Sequence, residues 1–472
     1  MDIHENQKSL DQSRPLERRQ RYKSPLRFSR HLFILVTLVA IWLLYGGGSS
    51  VLSNVQDAVV SALDDAAYAS ASPEKKARHI LRKNPLIDGH NDLLIRIRGL
   101  YLNQINQAGF TEPFEEGGMS GHVDIPRIQE GLMGGAFWSA FVPCPANGSD
   151  YSDDNYAYIV RATLQQLDLY DRLHSRYPDY FTPSPTSAKA ESAFKDKKLI
   201  SPIGIEGLHQ IGNSPSTLRL YHSLGVRYAT LTWNCHNIYA DAAITRDESG
   251  SFGPSKPLWH GISEQGRELV YEMNRLGMLI DLSHVSKNTM IDALVGSDKW
   301  GGWKGSIAPP IFSHSSAYSI CPHPRNVPDD VLRLVKQRNS VVMINFSPDF
   351  ISCKASEEDN GLPVFVPENN TLGQVVRHIR HIGELVGYDH VGIGTDYDGI
   401  ESTPKGLDDV SKFPDLVAEL LRQDISRKDV IKIIGGNVLR VWREADAVSD
   451  MMKLVRKPLE ERIERGWIED FE

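Results

Sequence analysis

Several features are scarce in this 472-residue chain, and each absence excludes a class of protein. The chain has four cysteines, and none forms a Cys-x-x-Cys pair, which argues against a structural zinc site. The net charge is −8, so no excess of basic residues predicts nucleic-acid binding. We find no solenoid-type repeat, and residues 451–472 contain no hydrophobic tail, so we expect no lipid anchor at that end.

The composition is otherwise that of a globular protein, with 41% hydrophobic and 24% charged residues. The N-terminal end differs from the rest. Residues 1–30 are polar and basic, and the uncharged segment 31–52 has its apolar centre at 32–45. If the whole uncharged segment is counted, about 20 residues, it is long enough to span a bilayer. Its apolar centre alone also fits a cleaved signal peptide, and a buried core helix is a third interpretation.

The long basic arm and the lack of a clear cleavage site favour an uncleaved signal-anchor. Because basic residues stay cytoplasmic, we expect a single-pass type II membrane protein with its bulk in the lumen or outside the cell. The sequence thus predicts five segments: a basic cytoplasmic tail (1–30), a transmembrane signal-anchor (31–52), a stalk (53–78), a folded domain (79–450) and a polar C-terminal tail (451–472).

Other features are consistent with export. The even number of cysteines suggests two disulfides, for which spacing alone permits three pairings. Asn147 and Asn369 begin glycosylation acceptor patterns. Asn345 also fits that pattern, but it lies in an apolar run and we expect it to be buried.

Eight short apolar runs alternate with helical patterns along the chain. The runs are rich in Val, Ile and Phe and lack clean alternation, which is typical of strands buried on both faces. Strand–helix alternation with right-handed crossovers gives a parallel sheet, so we predict a (β/α)8 TIM-type barrel with extra C-terminal helices. The predicted strands are 86–91, 134–141, 200–205, 226–232, 278–283, 308–313, 340–346 and 390–395, and the predicted helices are 156–175, 214–224, 263–276, 328–338, 372–385, 413–421 and 426–434.

Residues that bind metals or transfer protons follow most of these strands, as in barrel enzymes that carry their site at the C-terminal ends of the strands. His90 and Asp92 are two residues apart, so in a strand they point to the same side and can share a metal ion. Any one of these residues alone fits an ordinary strand end, but their common position favours a metal site. The full set is His90, Asp92, Glu206, His284, His314 and Asp396.

The constellation resembles the membrane (renal) dipeptidases, binuclear zinc peptidases of the amidohydrolase superfamily. The resemblance runs from about residue 84 to residue 442. Its motifs are Ile-Asp-Gly-His-Asn-Asp at 87–92, Gly-Ile-Glu-Gly at 204–207, Asp-Leu-Ser-His at 281–284, Ser-His-Ser-Ser-Ala-Tyr at 313–318, Arg-Asn-Val-Pro-Asp-Asp at 325–330 and Gly-Thr-Asp-Tyr-Asp-Gly at 394–399.

The resemblance implies two zinc ions per subunit. His90 and Asp92 would bind one, His284 and His314 the other, and Glu206 would bridge them. A hydroxide shared by the ions would hydrolyse the amide bond of a small dipeptide.

Two further roles follow from the resemblance. Asp396 would be the catalytic acid–base that passes the proton to the leaving amine, with Asp398 as the second candidate. Arg325 would bind the terminal carboxylate of the dipeptide.

The chain departs from the family at Trp233, where members usually carry a substrate-contacting histidine. Indole can donate one hydrogen bond but cannot become cationic, so we expect reduced or redirected activity. His236 lies three residues on and is a possible replacement if the loop is rearranged.

The resemblance also implies the pairings Cys144–Cys235 and Cys321–Cys353, which leave no cysteine for an intermolecular link, so any homodimer would be non-covalent. The leading hypothesis is a membrane-anchored zinc dipeptidase. The alternatives are a related amidohydrolase that acts on cysteinyl-glycine conjugates or lactams, and a metal-binding homologue weakened in catalysis by Trp233.

Overall fold

Eight parallel strands form a closed barrel in the computed structural model, which describes residues 68–247, 249–356 and 360–461. The strands pair in chain order, and the first pairs with both the second and the eighth, so the sheet closes on itself. The predicted TIM-type barrel is therefore confirmed. The strands, β1 to β8, are Ile87–Asn91, Gly135–Ala140, Ile203–Ile205, Val226–Thr230, Leu279–Asp281, Ile311–Phe312, Val341–Ile344 and Val391–Ile393.

Every residue of the eight strands is buried, which explains why their sequences do not alternate between polar and apolar residues. The strands are shorter than predicted because the apolar runs continue into loops on the barrel rim. The run at 200–205 divides in two. Residues Ile203–Ile205 form β3, whereas Leu199–Ile200 pairs with the start of β2 and with Phe181–Thr182.

All seven predicted helices are present, with shifted ends. The described helices, α1 to α15, are Pro73–Lys83, Leu93–Tyr101, Ala108–Glu116, Ile125–Glu130, Asp153–Arg176, Ser187–Lys195, Pro215–Ser223, Glu264–Leu276, Lys287–Val295, Asp329–Gln337, Pro348–Ile351, Leu372–Val386, Phe413–Arg422, Arg427–Ile431 and Asn437–Val455. Two antiparallel hairpins add to the rim, Ile244–Arg246 with Phe252–Pro254 and Cys353–Lys354 with Val364–Phe365.

Two helices cross boundaries drawn from the sequence. Helix α1 begins at Pro73 behind an N-cap serine and buries Ala77, Ile80 and Leu81, so the folded part starts within the predicted stalk 53–78. Its proline and three-to-four residue apolar spacing are ordinary helix signals that the small, polar composition of the preceding residues had obscured. Helix α15 runs past residue 450 into the predicted polar tail.

An apolar core lies where the barrel strands begin. Side chains from seven of the eight strands or their approaches pack there with one face of α15, and Trp442 of that helix contacts Phe137 of β2 with ring centroids 5.2 Å apart. This apolar core stabilises the N-terminal end of the barrel. The polar residues described below lie at the C-terminal ends of the strands.

The predicted basic tail 1–30 and signal-anchor 31–52 lie outside the described residues. Among the helices that the structure describes, none is both long and apolar enough to cross a bilayer.

Candidate metal centre and active site

The five predicted metal ligands converge at the C-terminal end of the barrel. One Glu206 oxygen, Oε1, lies 2.9 Å from His284 Nε2 and 3.5 Å from His314 Nε2. The other, Oε2, lies 3.6 Å from His90 Nε2, which is itself 3.1 Å from Asp92 Oδ2. Glu206 therefore faces one pair of ligands with each oxygen, as a carboxylate that bridges two cations must.

The hydrogen bonds of the histidines fit a cation between them. The Nδ1 atom of His284 lies 2.8 Å from Asn234 Oδ1, an acceptor, so that nitrogen carries the proton. Ser313 donates its hydroxyl hydrogen to Asp281 Oδ2 at 2.6 Å, so at 2.8 Å it accepts from His314 Nδ1. Both Nε2 atoms then present lone pairs to each other across 2.9 Å. Facing lone pairs repel, and a metal ion bound by both would remove that repulsion.

The electrostatics of the site support the same protonation states of the histidines. Burial lowers the pKa of His284 and of His314 well below the usual range, and the cationic Arg325 reinforces the shift. Both rings are therefore neutral, which metal binding requires. Burial disfavours a charged His90, but Tyr228, Asp92 and Glu206 together raise its pKa. A cation at this position would replace the proton that the carboxylates attract.

Asp396 lies beside the ligands after β8. Its Oδ2 accepts a hydrogen bond from Asn345 Nδ2 at 3.0 Å. Burial raises its pKa to about 8, and the carboxylates of Asp92 and Glu206 add to this effect against the attraction of His90. A carboxyl with a raised pKa can both take up and release a proton near neutral pH.

A glycine makes room between two of these carboxylates. A Cβ atom at Gly399 would lie 2.2 Å from Asp92 Oδ2 and 2.7 Å from Asp396 Oδ1, closer than atoms can approach. The last glycine of the 394–399 motif is therefore explained by this close approach.

The backbone is strained at the same place. His284, Asp396 and Asp398 have φ angles of 65°, 65° and 69°, in the left-handed region that non-glycine residues rarely adopt. Each such residue costs roughly 1–3 kcal/mol, and clusters of them mark functional sites.

Asp398, the second candidate for acid–base work, is engaged elsewhere. Its Oδ1 accepts the backbone N–H of His122 at 2.6 Å, and its own backbone N–H donates to His122 Nδ1 at 2.8 Å. These two bonds attach the loop around residue 122 to the end of β8. Asp398 therefore positions a loop, while Asp396 is the carboxyl that lies among the ligands.

Arg325 is a buried cation with unused donors. Its side chain is 1% exposed, and neither Nε nor Nη1 has a hydrogen-bond partner among the described residues. The guanidinium carbon lies 5.1 Å from the ring centroid of Phe350, and Nη2 lies 3.5 Å from the carbonyl oxygen of His314. Burial lowers its pKa only to about 10, so it stays charged at neutral pH. A buried cation with unsatisfied N–H donors fits a carboxylate ligand.

Trp233 lies in the loop after β4, next to the predicted metal ligand His284. Its ring centroid is 6.1 Å from that of His284, 4.8 Å from that of Phe141 and 6.4 Å from that of Phe252. It lines a cleft of about 1360 Å³, which the hairpin at residues 244–254 and the loop at residues 143–151 also border. Trp233 and Phe252 form an aromatic wall of this cleft.

The suggestion that His236 replaces the missing histidine is not supported. His236 Nδ1 accepts the backbone N–H of Ala242 at 3.1 Å and lies 3.3 Å from Asp241 Oδ1. The ring is thus held by residues of its own loop.

Both disulfides are present with the pairing that the resemblance implied, Cys144–Cys235 and Cys321–Cys353. His209 lies close to the first pair, but these sulfur atoms are bonded to each other and cannot bind a metal. Asn147 and Asn369 are exposed, whereas Asn345 is buried, as expected for a residue in an apolar run.

Sequence reasoning missed the residues that hold the ligands in place. Tyr228 Oη lies 2.7 Å from His90 Nδ1. Asn234 and Ser313 pair with His284 and His314, and Asp281 accepts the hydroxyl hydrogen of Ser313. A Cβ at Gly204 would lie 2.2 Å from the Tyr228 ring, so the glycine before Glu206 gives this ring its place inside the barrel. Asp281 and Ser313 each lie within a sequence motif that contains a predicted ligand, so their positions could have suggested this role. No comparable sequence signal marks Tyr228 or Asn234.

Comparison with known proteins decides the family. The model of the family described as membrane dipeptidase (peptidase family M19) matches residues 74–456. The chain belongs to the membrane dipeptidase family. It is therefore a metallo-dipeptidase hydrolase of that family, whose members use a metal cofactor.

Curated relatives cover most of the chain. The dipeptidase aclJ of Aspergillus oryzae is 42% identical over 376 residues, which are 78% of this chain and 80% of the relative. An uncharacterized dipeptidase of Schizosaccharomyces pombe, C3A11.10c, is 42% identical over 406 residues, 85% of this chain and 88% of that protein.

Solved structures share the fold of this dipeptidase. A metallo peptidase from Rhodobacter sphaeroides, liganded with a phosphinate mimic of the dipeptide L-Ala-D-Ala, is 25% identical, with a TM-score of 0.63 over 77% of this chain and 99% of that one. The probable dipeptidase PvdM from Pseudomonas aeruginosa has a TM-score of 0.67 at 18% identity, over 80% of this chain and 99% of that one, and shows the fold alone.

Proposed function

We propose that this dipeptidase hydrolyses small dipeptides with two zinc ions held by His90, Asp92, Glu206, His284 and His314. The observation that carries the proposal is the position of Glu206, whose Oε1 faces two neutral imidazoles and whose Oε2 faces His90 beside Asp92. Imidazole and carboxylate ligands in this number suit zinc. When bound, a zinc pair supplies Lewis-acid activation of water and of the scissile carbonyl.

The residues of the chain divide the remaining work. Arg325, whose Nε and Nη1 lack partners among the described residues, binds the terminal carboxylate of the dipeptide. Because its Nη2 lies 3.5 Å from the carbonyl oxygen of His314, the cation would hold a carboxylate close to the metal ligands, which favours short substrates. Asp396 accepts a proton from the attacking water and passes it to the leaving amine, and Asn345 orients its Oδ2.

A panel of dipeptides tests this function, assayed with added zinc and after removal of metal by a chelator. The panel includes L-Ala-D-Ala, because the Rhodobacter relative binds a mimic of that dipeptide. We expect hydrolysis that is lost with the metal and restored by zinc. If the protein binds two zinc ions and hydrolyses none of the panel, it is a metal-binding homologue without catalysis.

The cleft beside Trp233 favours a second candidate, a related amidohydrolase with a shifted substrate range. The cleft exceeds the volume of a simple dipeptide, and its aromatic wall suits a bulky apolar group, so cysteinyl-glycine conjugates and lactams belong in the same panel. Faster turnover of these compounds than of unmodified dipeptides would favour this candidate.

We further propose that the protein is a type II membrane protein with its barrel in the lumen or outside the cell. The uncharged segment 31–52 behind a basic arm supports the anchor, and two disulfides suit an oxidising compartment. Glycosidase treatment tests this topology, since Asn147 and Asn369 acquire glycans only after export. Any homodimer remains a non-covalent one, because both disulfides are internal.

A further inference from the structure

The three imidazole ligands differ in what holds their second ring nitrogen. His90 Nδ1 meets the hydroxyl of Tyr228, which belongs to β4, and His314 Nδ1 meets Ser313, its neighbour at the end of β6. Both partners are fixed by the barrel itself. His284 Nδ1 instead meets Asn234 Oδ1 at 2.8 Å, and Asn234 lies in the loop four residues beyond the end of β4.

His284 depends on this partner for its metal-binding form. Its Nε2 faces Glu206 Oε1 and must carry a lone pair to bind metal, so its proton resides on Nδ1 and needs an acceptor. Its backbone φ is 65°, a conformation that the surrounding contacts must maintain. An imidazole without the acceptor could rotate or bind a proton at Nε2 and lose the metal.

The loop that carries Asn234 is fixed by a covalent bond at the next residue. Cys235 is buried and joined to Cys144, 91 residues earlier, in the loop that follows β2. Within the loop, Asn237 Nδ2 also donates to the Leu231 carbonyl oxygen at 2.8 Å. The disulfide is thus adjacent to the partner of His284, which lies farther from its strand than Tyr228 or Ser313 does.

We propose that Asn234 is a positioning residue for the metal ligand His284, and that the Cys144–Cys235 disulfide keeps it in place. The inference rests on the proposed function in taking His284 as a zinc ligand. It assigns the disulfide a role in metal affinity at one of the two ions, in addition to its contribution to folding stability.

The test compares full-length variants by zinc content and by zinc affinity in competition with a chelator of known strength. Asn234→Leu has a similar size but no acceptor, and we expect affinity for one zinc to fall about 10–100-fold while the other is retained. Asn234→Asp keeps an acceptor and should restore wild-type affinity. A purely structural role would not separate these two variants.

The two disulfides provide a matched pair. Replacing Cys144 and Cys235 together by serine should weaken the same zinc ion, whereas replacing Cys321 and Cys353 together should not. Equal losses of zinc affinity in both double variants would overturn the role of the first disulfide. Unchanged zinc affinity in Asn234→Leu would overturn the whole inference. This second test remains valid even if a disulfide variant fails to fold. A wild-type protein that binds no zinc would instead refute the proposed function.

Discussion

Replacing Arg325 with methionine tests whether the buried guanidinium binds the substrate carboxylate. Methionine keeps the apolar contact with Phe350 and removes both unpartnered donors. Each hydrogen bond between charged groups contributes roughly 1.5–3 kcal/mol. Losing a bidentate pair of such bonds therefore costs about 3–6 kcal/mol, or roughly 10²–10⁴-fold in kcat/KM.

The assay measures kcat/KM for one dipeptide and for the same dipeptide with a C-terminal amide. The wild-type enzyme should discriminate against the amide by about the factor that the substitution costs, because the amide offers no charge to the guanidinium. The Arg325→Met variant should treat both substrates alike. Arg325→Lys keeps the charge but not the planar fork, so we expect an intermediate loss.

Two controls isolate the effect. Arg333→Met removes an exposed arginine from helix α10 and should leave both values unchanged. Every variant must retain its metal content. If Arg325→Met still discriminates between acid and amide as the wild type does, the carboxylate is bound elsewhere and the assignment of Arg325 is wrong.

Three further substitutions test other parts of the site. Asp396→Asn should lower kcat about 10²–10⁴-fold with zinc still bound. Asp398→Asn can still accept the backbone N–H of His122 and should have a small effect on kcat. Equal losses of kcat in the two variants would count against Asp396 as the acid–base. Trp233→His should raise dipeptide turnover, and if turnover stays the same, the tryptophan does not limit activity. Gly399→Ala should lower zinc content, since the new Cβ would overlap Asp92 Oδ2, and full metal content would show that the loop can move.

The sequence predicts the barrel and the ligand set because both follow from periodic features. Buried parallel strands appear as short apolar runs, and the C-terminal ends of such strands must meet on one face, so His90, Glu206, His284 and His314 are brought together by topology. Asp396 follows from the same rule. Asn345 shows the limit of this rule. The apolar run around it correctly predicted that Asn345 is buried, but nothing in the sequence predicted its hydrogen bond to Asp396.

The features that could not be predicted depend on contacts between distant loops or on backbone conformation. The left-handed φ of His284 and Asp396 is a backbone conformation that non-glycine residues rarely adopt, and no composition signal marks it. The partnership of Asn234 with His284 joins residues 50 apart. The first residues of helix α1, 73–78, were assigned to the stalk because the packing of this helix against α13 is a tertiary contact.

Anomalous diffraction at the zinc edge, from crystals of the full-length protein grown with zinc, tests the central claim most directly. Two peaks are expected, one between Glu206 Oε1 and the pair His284 and His314, and one between Glu206 Oε2 and the pair His90 and Asp92. A single peak, or two peaks away from Glu206, in a protein that hydrolyses dipeptides would contradict the binuclear site.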